Sequence, residues 1–292
     1  MKVKKGLCRL DIDSDGIKHE IFVIGSCNGL VCLVTLLGYL IIWNPIIHKW
    51  AKFPCPFSPM DEGSNLTIAW GFGYVSLIDD YKIVRLVETD QPQEITVHVF
   101  SLKTQKWFQI SNERLRGYSL GSVSNARLAG VLVNETVYWI INSVEGGHGQ
   151  DILAFNLIRE KFDNIHVLVQ GDSYLTRVRF LAVMGGYLSL CRFTNRGDVS
   201  ISVLKEKCQV EYMGLYRDMN LSSCSALVGY TRSGKFFIQL GDQELGLVDP
   251  NSSPKTYTQL VRFEGECRSY IASYVPTLIS PLQYSAVAKG RV

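Results

Sequence analysis

The sequence predicts an all-β fold, a β-propeller built from short four-stranded antiparallel blades. Three observations carry this expectation. A hairpin phrase recurs along the chain, a second strand pair precedes most of its recurrences, and no amphipathic helix of three turns is legible. The phrase is clearest in "WNPIIHKW", "FSLKTQKW" and "FNLIREKF". Asn44 to Trp50, Ser101 to Trp107 and Asn156 to Phe162 are each six residues apart. Weaker copies are "SISVLKEKCQVEYM" and "LGLVDPNSSPKTYTQL". Taking Asn44, Ser101, Asn156, Lys205 and Asp249 as anchors gives intervals of 57, 55, 49 and 44 residues. A repeat of about 50 residues holding four short strands is the size of a propeller blade.

The first unit is the least obvious. Ile21 to Ile47 contains no charged residue and exceeds the roughly 20 apolar residues of a membrane-spanning helix. It is nevertheless cut by turn chemistry at Gly25-Ser26-Cys27-Asn28-Gly29, at Gly38-Tyr39 and at Asn44-Pro45. Between the cuts lie "LVCLV" and "YLIIW", short and rich in β-branched residues, followed by the mixed strand "HKWAKFP". Buried sheet explains this apolarity, because inner blade strands are covered on both faces. The expectation is therefore a blade and no membrane span.

Later units follow in the same order. The preceding strand pairs are "IAWGFGYVSLIDDYKIVRLV", "LAGVLVNETVYWII", "VRFLAVMGGYLSLCRF" and "CSALVGYTRSGKFFIQL", each turning at Gly, Asn or Asp. Val97 to Phe100 reads as strand, with Trp107 opening the next. Five units are legible. The two ends, "KKGLCRLDIDSDGIKHE" and "RSYIASYVPTLISPL", are expected to pair into a sixth that closes the ring. Residues 1–292 read as one domain, without a linker or low-complexity segment.

Composition narrows the function. The chain has 292 residues, 47% hydrophobic and 20% charged, which suits a globular core. A net charge of +3 argues against a nucleic-acid surface. The basic start "MKVKKG" runs into Asp11, Asp13 and Asp15, unlike a signal peptide. Eight cysteines occur without a C-x-x-C pair. They read as reduced thiols in a cytoplasmic or nuclear protein.

No residue group carries catalytic, cofactor or metal chemistry. "DIDSDG" resembles the front of a calcium loop, but Phe22 stands where the bidentate Glu would be needed. It reads as an acidic turn. Asp79 and Asp80 are adjacent, so in a strand they diverge. "GFGY" lacks a third glycine and a following helix. His148 in "EGGHGQ" has no second histidine nearby, and no G-x-S-x-G is present. Trp43, Trp50, Trp107 and Trp139 sit at repeat positions, as packing residues would, and Trp107 and Trp139 are expected to be buried.

Blade-to-blade connections are the expected partner face, because they gather on one rim free of strand constraints. They are residues 57–66, 111–125, 169–177 and 215–222. Two of them combine arginine with tyrosine, residues favoured at protein interfaces. Arg114, Arg116, Tyr118, Tyr216 and Arg217 are the candidate partner-binding residues.

Together, "GSCNGLVCL…IIWNPIIHKWAKFP", "GFGYVSLIDDYKIVRLV", "VHVFSLKTQKWFQI", "GVLVNETVYWI" and "ILAFNLIREKF" resemble the F-box-associated, kelch-like propeller domain of plant F-box proteins. The resemblance runs from about Gly25 to Pro281. Family members usually carry an F-box upstream, which binds a Skp-type adaptor of a cullin–RING (SCF) ubiquitin ligase, while the propeller captures the protein to be ubiquitinated. No F-box is read in these residues, so the expectation is the capture half, meeting the adaptor only where an F-box is supplied upstream. Some relatives resemble pollen proteins that recognise ribonucleases in self-incompatibility. The alternative is a propeller enzyme or carbohydrate-binding propeller, since the fold hosts both.

Overall fold

The computed structural model describes residues 21–35, 38–55, 67–90, 93–111, 113–120, 129–144, 150–165, 178–193, 199–205, 210–216, 224–231, 233–241, 243–249, 251–252, 256–262 and 275–284. Within them the chain forms five antiparallel sheets arranged as propeller blades. Blade I comprises β1 (Ile21–Cys27), β2 (Leu30–Thr35), β3 (Tyr39–Asn44) and β4 (Lys49–Pro54). Blade II comprises β5 (Thr67–Val75), β6 (Asp80–Asp90), β7 (Gln93–Ser101) and β8 (Lys106–Ile110). Blade III has β10 (Val131–Val133), β11 (Thr136–Ser143), β12 (Gln150–Asn156) and β13 (Lys161–Ile165), with the short β9 (Tyr118–Ser119) added to β11. Blade IV runs β14 (Val178–Met184), β15 (Tyr187–Phe193), β16 (Val199–Leu204) and β17 (Val210–Tyr216). Blade V runs β18 (Cys224–Tyr230), β19 (Phe236–Leu240), β20 (Glu244–Asp249) and β21 (Thr256–Arg262).

The recurring phrase is the hairpin joining the third and fourth strands of a blade. Trp43 faces Trp50, Phe100 faces Trp107 and Phe155 faces Phe162 across it. The anchor residue earns its place through its side chain. Asn44 Oδ1 accepts from Ile46 N (2.9 Å), Ser101 Oγ from Thr104 N (3.2 Å), Asn156 Oδ1 from Arg159 N (2.8 Å) and Asp249 Oδ1 from Asn251 N (3.1 Å). Short polar side chains bind the following backbone and set the turn. Four residues beyond the first three anchors the chain takes a positive φ, at His48, Gln105 and Glu160. In blade IV the last residue of the third strand is Leu204, facing Val210, so the Lys205 alignment is one residue late.

The core lies between blades. One apolar cluster joins blades I and II through Leu30, Ile42, Phe53, Phe72, Tyr81 and Phe100. A second joins blades II and III through Val97, Leu86, Val137, Trp139 and Phe155. Further clusters lie between blades III and IV and between IV and V. Burial on both faces leaves β2 wholly buried. Ile21–Asn44 therefore supplies three strands, and no helix among the described residues is long and apolar enough to cross a membrane.

"GFG" acquires a packing role. A Cβ on Gly71 would lie 2.7 Å from Trp139 Cζ2 and from Val137 Cγ1; one on Gly73 would lie 2.4 Å from Leu157 Cδ1. Phe72, between them, faces blade I. Alternation along β5 thus puts glycine toward blade III, where the next sheet comes closest.

Four expectations need correction. Gly25 and Ser26 lie inside β1, with the register shifting between Val23 and Gly25, and only Asn28-Gly29 turns. Strand β7 begins at Gln93, well before Val97. Trp107 is half-buried, whereas Trp139 is 3% exposed. Val275–Tyr284 is no strand but an irregular strap ending in the 3-10 turn Pro281–Tyr284. The other segments proposed for a sixth blade, and "DIDSDG", lie outside the described residues.

Candidate partner-binding rims

A four-stranded antiparallel blade has two ends. The first-to-second and third-to-fourth strand turns gather at one end, the turn rim. The second-to-third turns and the blade-to-blade connections gather at the other, the connection rim.

On the connection rim, Glu113–Leu115 forms a 3-10 turn whose Leu115 is buried. Leu120 follows, also buried, and its N–H donates to Glu88 Oε2 at 2.7 Å. These two leucines pin the segment between blades II and III. Arg114 and Arg116 between and beside them are exposed. Arg114 Nη1 lies 3.8 Å from Asp163 Oδ1, a contact too long and too solvated to fix it. Tyr118 is half-buried in β9, and its hydroxyl donates to Asp151 Oδ2 at 3.0 Å. It is therefore partly a structural residue. Tyr216 ends β17 in blade IV, at the same rim, and is in a strand rather than a loop. Arg217 lies outside the described residues, as do 57–66 and 169–177. The structure thus groups Arg114, Arg116 and Tyr118 on blade III and puts Tyr216 on the neighbouring blade.

The turn rim is braced between blades. Ser76 N donates to Glu135 Oε1 (2.6 Å), tying blade II to blade III. Lys82, buried, donates through Nζ to Leu157 O (2.9 Å) and Glu160 Oε1 (2.6 Å). The strap crosses blades I and II. Asn44 Nδ2 donates to Thr277 O (3.0 Å) and Ile279 O (2.8 Å), and Gln105 Nε2 donates to Tyr284 O (2.5 Å). Beneath the strap, Tyr81 packs edge-on against Tyr284 and lies against Tyr74 and Phe72. Its phenol is pushed up by burial, with Cys27 and Tyr284 adding to the effect. Tyr74 is pushed up to about 12 by the hydrogen bond it donates to Asp79 Oδ1 (2.7 Å), and burial takes the Cys27 thiol up to about 11. All three stay neutral near pH 7. Asp80, next to Asp79, turns inward and accepts from Ser101 Oγ (2.6 Å) and Lys103 N (2.8 Å). The two carboxylates diverge as their adjacency requires.

No group of three or more His, Cys, Asp or Glu side chains among the described residues is placed to hold a metal ion. The turn rim was missed by sequence reasoning. Its signal was present in Leu77 and Ile78, large apolar residues where a turn usually holds Gly, Asn, Asp or Ser.

Comparison with known proteins places this geometry in a family. The family described as the F-box associated beta propeller domain matches residues 1–280. Among curated proteins of Arabidopsis thaliana, F-box protein CPR1 is 32% identical over 150 residues, spanning 47% of this chain and 35% of that protein. F-box/kelch-repeat protein At3g23880 is 26% identical over 189 residues, covering 63% and 49%. F-box protein At4g22390 is 28% identical over 205 residues, again 63% and 49%. The chain spans half or less of the length of these relatives. Among solved structures, a mutant of Aleuria aurantia lectin in complex with alpha-methyl-L-fucoside superposes with a TM-score of 0.50 at 14% identity, covering 88% of this chain and 84% of the lectin; this likeness concerns the fold alone. With a match over nearly all its residues and a bladed all-β architecture, the chain belongs to the F-box associated beta propeller domain family.

Proposed function

We propose that the chain is the target-recognition module of an SCF-type (cullin–RING) ubiquitin ligase, holding a protein for ubiquitination. The observation that carries this reading is the family match over residues 1–280, shared with relatives named as F-box proteins. A rigid stack of sheets with exposed rims suits capture of a folded or extended partner better than it suits a buried reaction site. The adaptor of the ligase is met through an F-box, and the reading puts the protein in the cytoplasm or nucleus. The target contacts proposed for the connection rim are Arg114, Arg116, Tyr118, Tyr216 and Arg217.

Co-purification from plant extract tests this face. Arg114→Ala with Arg116→Ala removes two exposed side chains whose loss leaves the fold alone, since surface substitutions usually change stability by about 0.5 kcal/mol or less. The expected result is a thermal melt like that of the unaltered protein and at least about a tenfold loss of the specifically captured protein. Tyr118→Phe separates the hydroxyl bonded to Asp151 from the ring. Undiminished capture by the double arginine variant and by Tyr216→Ala with Arg217→Ala would remove the connection rim from the reading.

A further inference from the structure

The turn rim carries an independent feature. Among the described residues, ten of the twelve exposed large hydrophobic side chains lie at or beside it. Leu77 is 77% exposed, Val275 71% and Leu278 79%, and Ile46, Ile78 and Ile158 accompany them. A single exposed leucine needs no explanation, but apolar side chains gathered on one end of a molecule mark an interaction surface. Three blades contribute: Ile46 from blade I, Leu77 and Ile78 from blade II, Ile158 from blade III. The strap adds Val275 and Leu278 beside Asn44.

Their backbone is fixed. The Ser76–Glu135 and Lys82–Glu160 bonds join blades II and III, and the strap is held by both Asn44 and Gln105. A prearranged surface orders little on binding and so loses little affinity to entropy.

Charge identifies the occupant. The third-to-fourth turns of these blades expose Lys49, Lys103, Lys106, Arg159 and Lys161. Among the described residues the acids of these turns are less exposed than the cations: Asp79 is exposed, Glu135 and Glu160 are half-buried and Asp80 is buried. Asp79 accepts from Tyr74, Glu135 from Ser76, Glu160 pairs with Lys82, and Asp163 pairs with Arg159 at 2.8 Å. Cations and apolar side chains interleave. Arg159 adjoins Ile158, and Lys103 Nζ donates to the carbonyl of Ile78 at 2.8 Å. We propose that the turn rim of blades I to III docks an acidic segment of a partner protein, one whose carboxylates alternate with apolar anchors. A lipid surface would instead require the apolar side chains in one protruding layer with the cations behind. The proposal goes beyond ligase function, and its test involves no ubiquitin transfer.

The full chain is used to select binders from a displayed random peptide library, and the selected peptides are titrated by fluorescence anisotropy. The expected peptides are net acidic with two or more large apolar residues. Leu77→Ser with Ile78→Ser should weaken them about tenfold or more, as removal of central apolar anchors does. Lys49→Glu, Lys106→Glu and Lys161→Glu together should weaken them and flatten the dependence on salt. Gln259→Ala, an exposed change on the outer strand of blade V, should change nothing, and thermal melts should be unaltered. The proposal is overturned if no peptide is selected, if the peptides are neutral or basic, or if the rim substitutions leave binding intact. It is equally overturned if sedimentation shows self-association that the Leu77/Ile78 variant abolishes. Binding to phosphatidylserine vesicles, lost in the same variant, would overturn it in favour of a lipid surface.

Discussion

Trp139→Ala is expected to destabilise the protein by about 3–5 kcal/mol, the usual cost of emptying a large aromatic from a core. Trp139 is 3% exposed and packs with Val137, Leu153 and Phe155 in the cluster joining blades II and III. Its indole N–H donates to Trp70 O at 2.9 Å, across the blade interface. Alanine would open a cavity and remove one of that carbonyl's donors, leaving Gly130 N to donate to it at 2.6 Å. Denaturant unfolding measures the loss directly. Gly71 supplies an internal control, because a methyl there would press on Trp139 and Val137. Gly71→Ala alone should cost about 1–3 kcal/mol through overpacking. Combined with Trp139→Ala it should cost less than the sum, since the cavity accepts the methyl. Additive losses would mean that the two blades do not meet at this point.

The second large effect is expected at Asn44. This residue is fully buried and uses its whole amide: Nδ2 holds Thr277 O and Ile279 O, while Oδ1 accepts Ile46 N. Leucine preserves the volume and removes all three bonds. Each buried group left unpaired costs about 1–3 kcal/mol, although release of the strap returns its carbonyls to water and relieves part of this. Asn44→Leu should therefore lower stability and, more specifically, raise hydrogen exchange across Val275–Tyr284. Exchange confined to β3 and its turn, with the strap still protected, would show that the strap is held elsewhere.

Much of this architecture was legible because the anchors combine two constraints in one residue. Asn44, Ser101, Asn156 and Asp249 both end a strand and bind their own turn, so their type and spacing recur. Lys205 was aligned one residue late because Leu204, ending its strand, offers no such side chain. Gly25 read as a turn because its glycine answers to packing against Phe72 in the next blade. The strap read as a strand because Val275, Thr277 and Ile279 are β-branched. The carbonyls of Thr277 and Ile279 are instead met by an amide more than 200 residues earlier in the chain. The apolar rim was hidden for a related reason. Ile46 and Ile158 carry no signal individually, and although Leu77 and Ile78 are unusual in a turn, only the stacking of blades brings all four to one surface. Arg114 and Arg116 come to the surface together because they belong to one short segment.

Reconstituted ubiquitination tests the central claim most directly. The chain would be fused downstream of an F-box module and assembled with the Skp-type adaptor, cullin and RING subunits. It would then be supplied with the protein that the unfused chain captures from plant extract. The account predicts ubiquitin chains on that captured protein with the fusion, and none with the unfused chain or with the F-box module alone. An assembled ligase that binds the captured protein through the propeller yet leaves it unmodified would contradict the account.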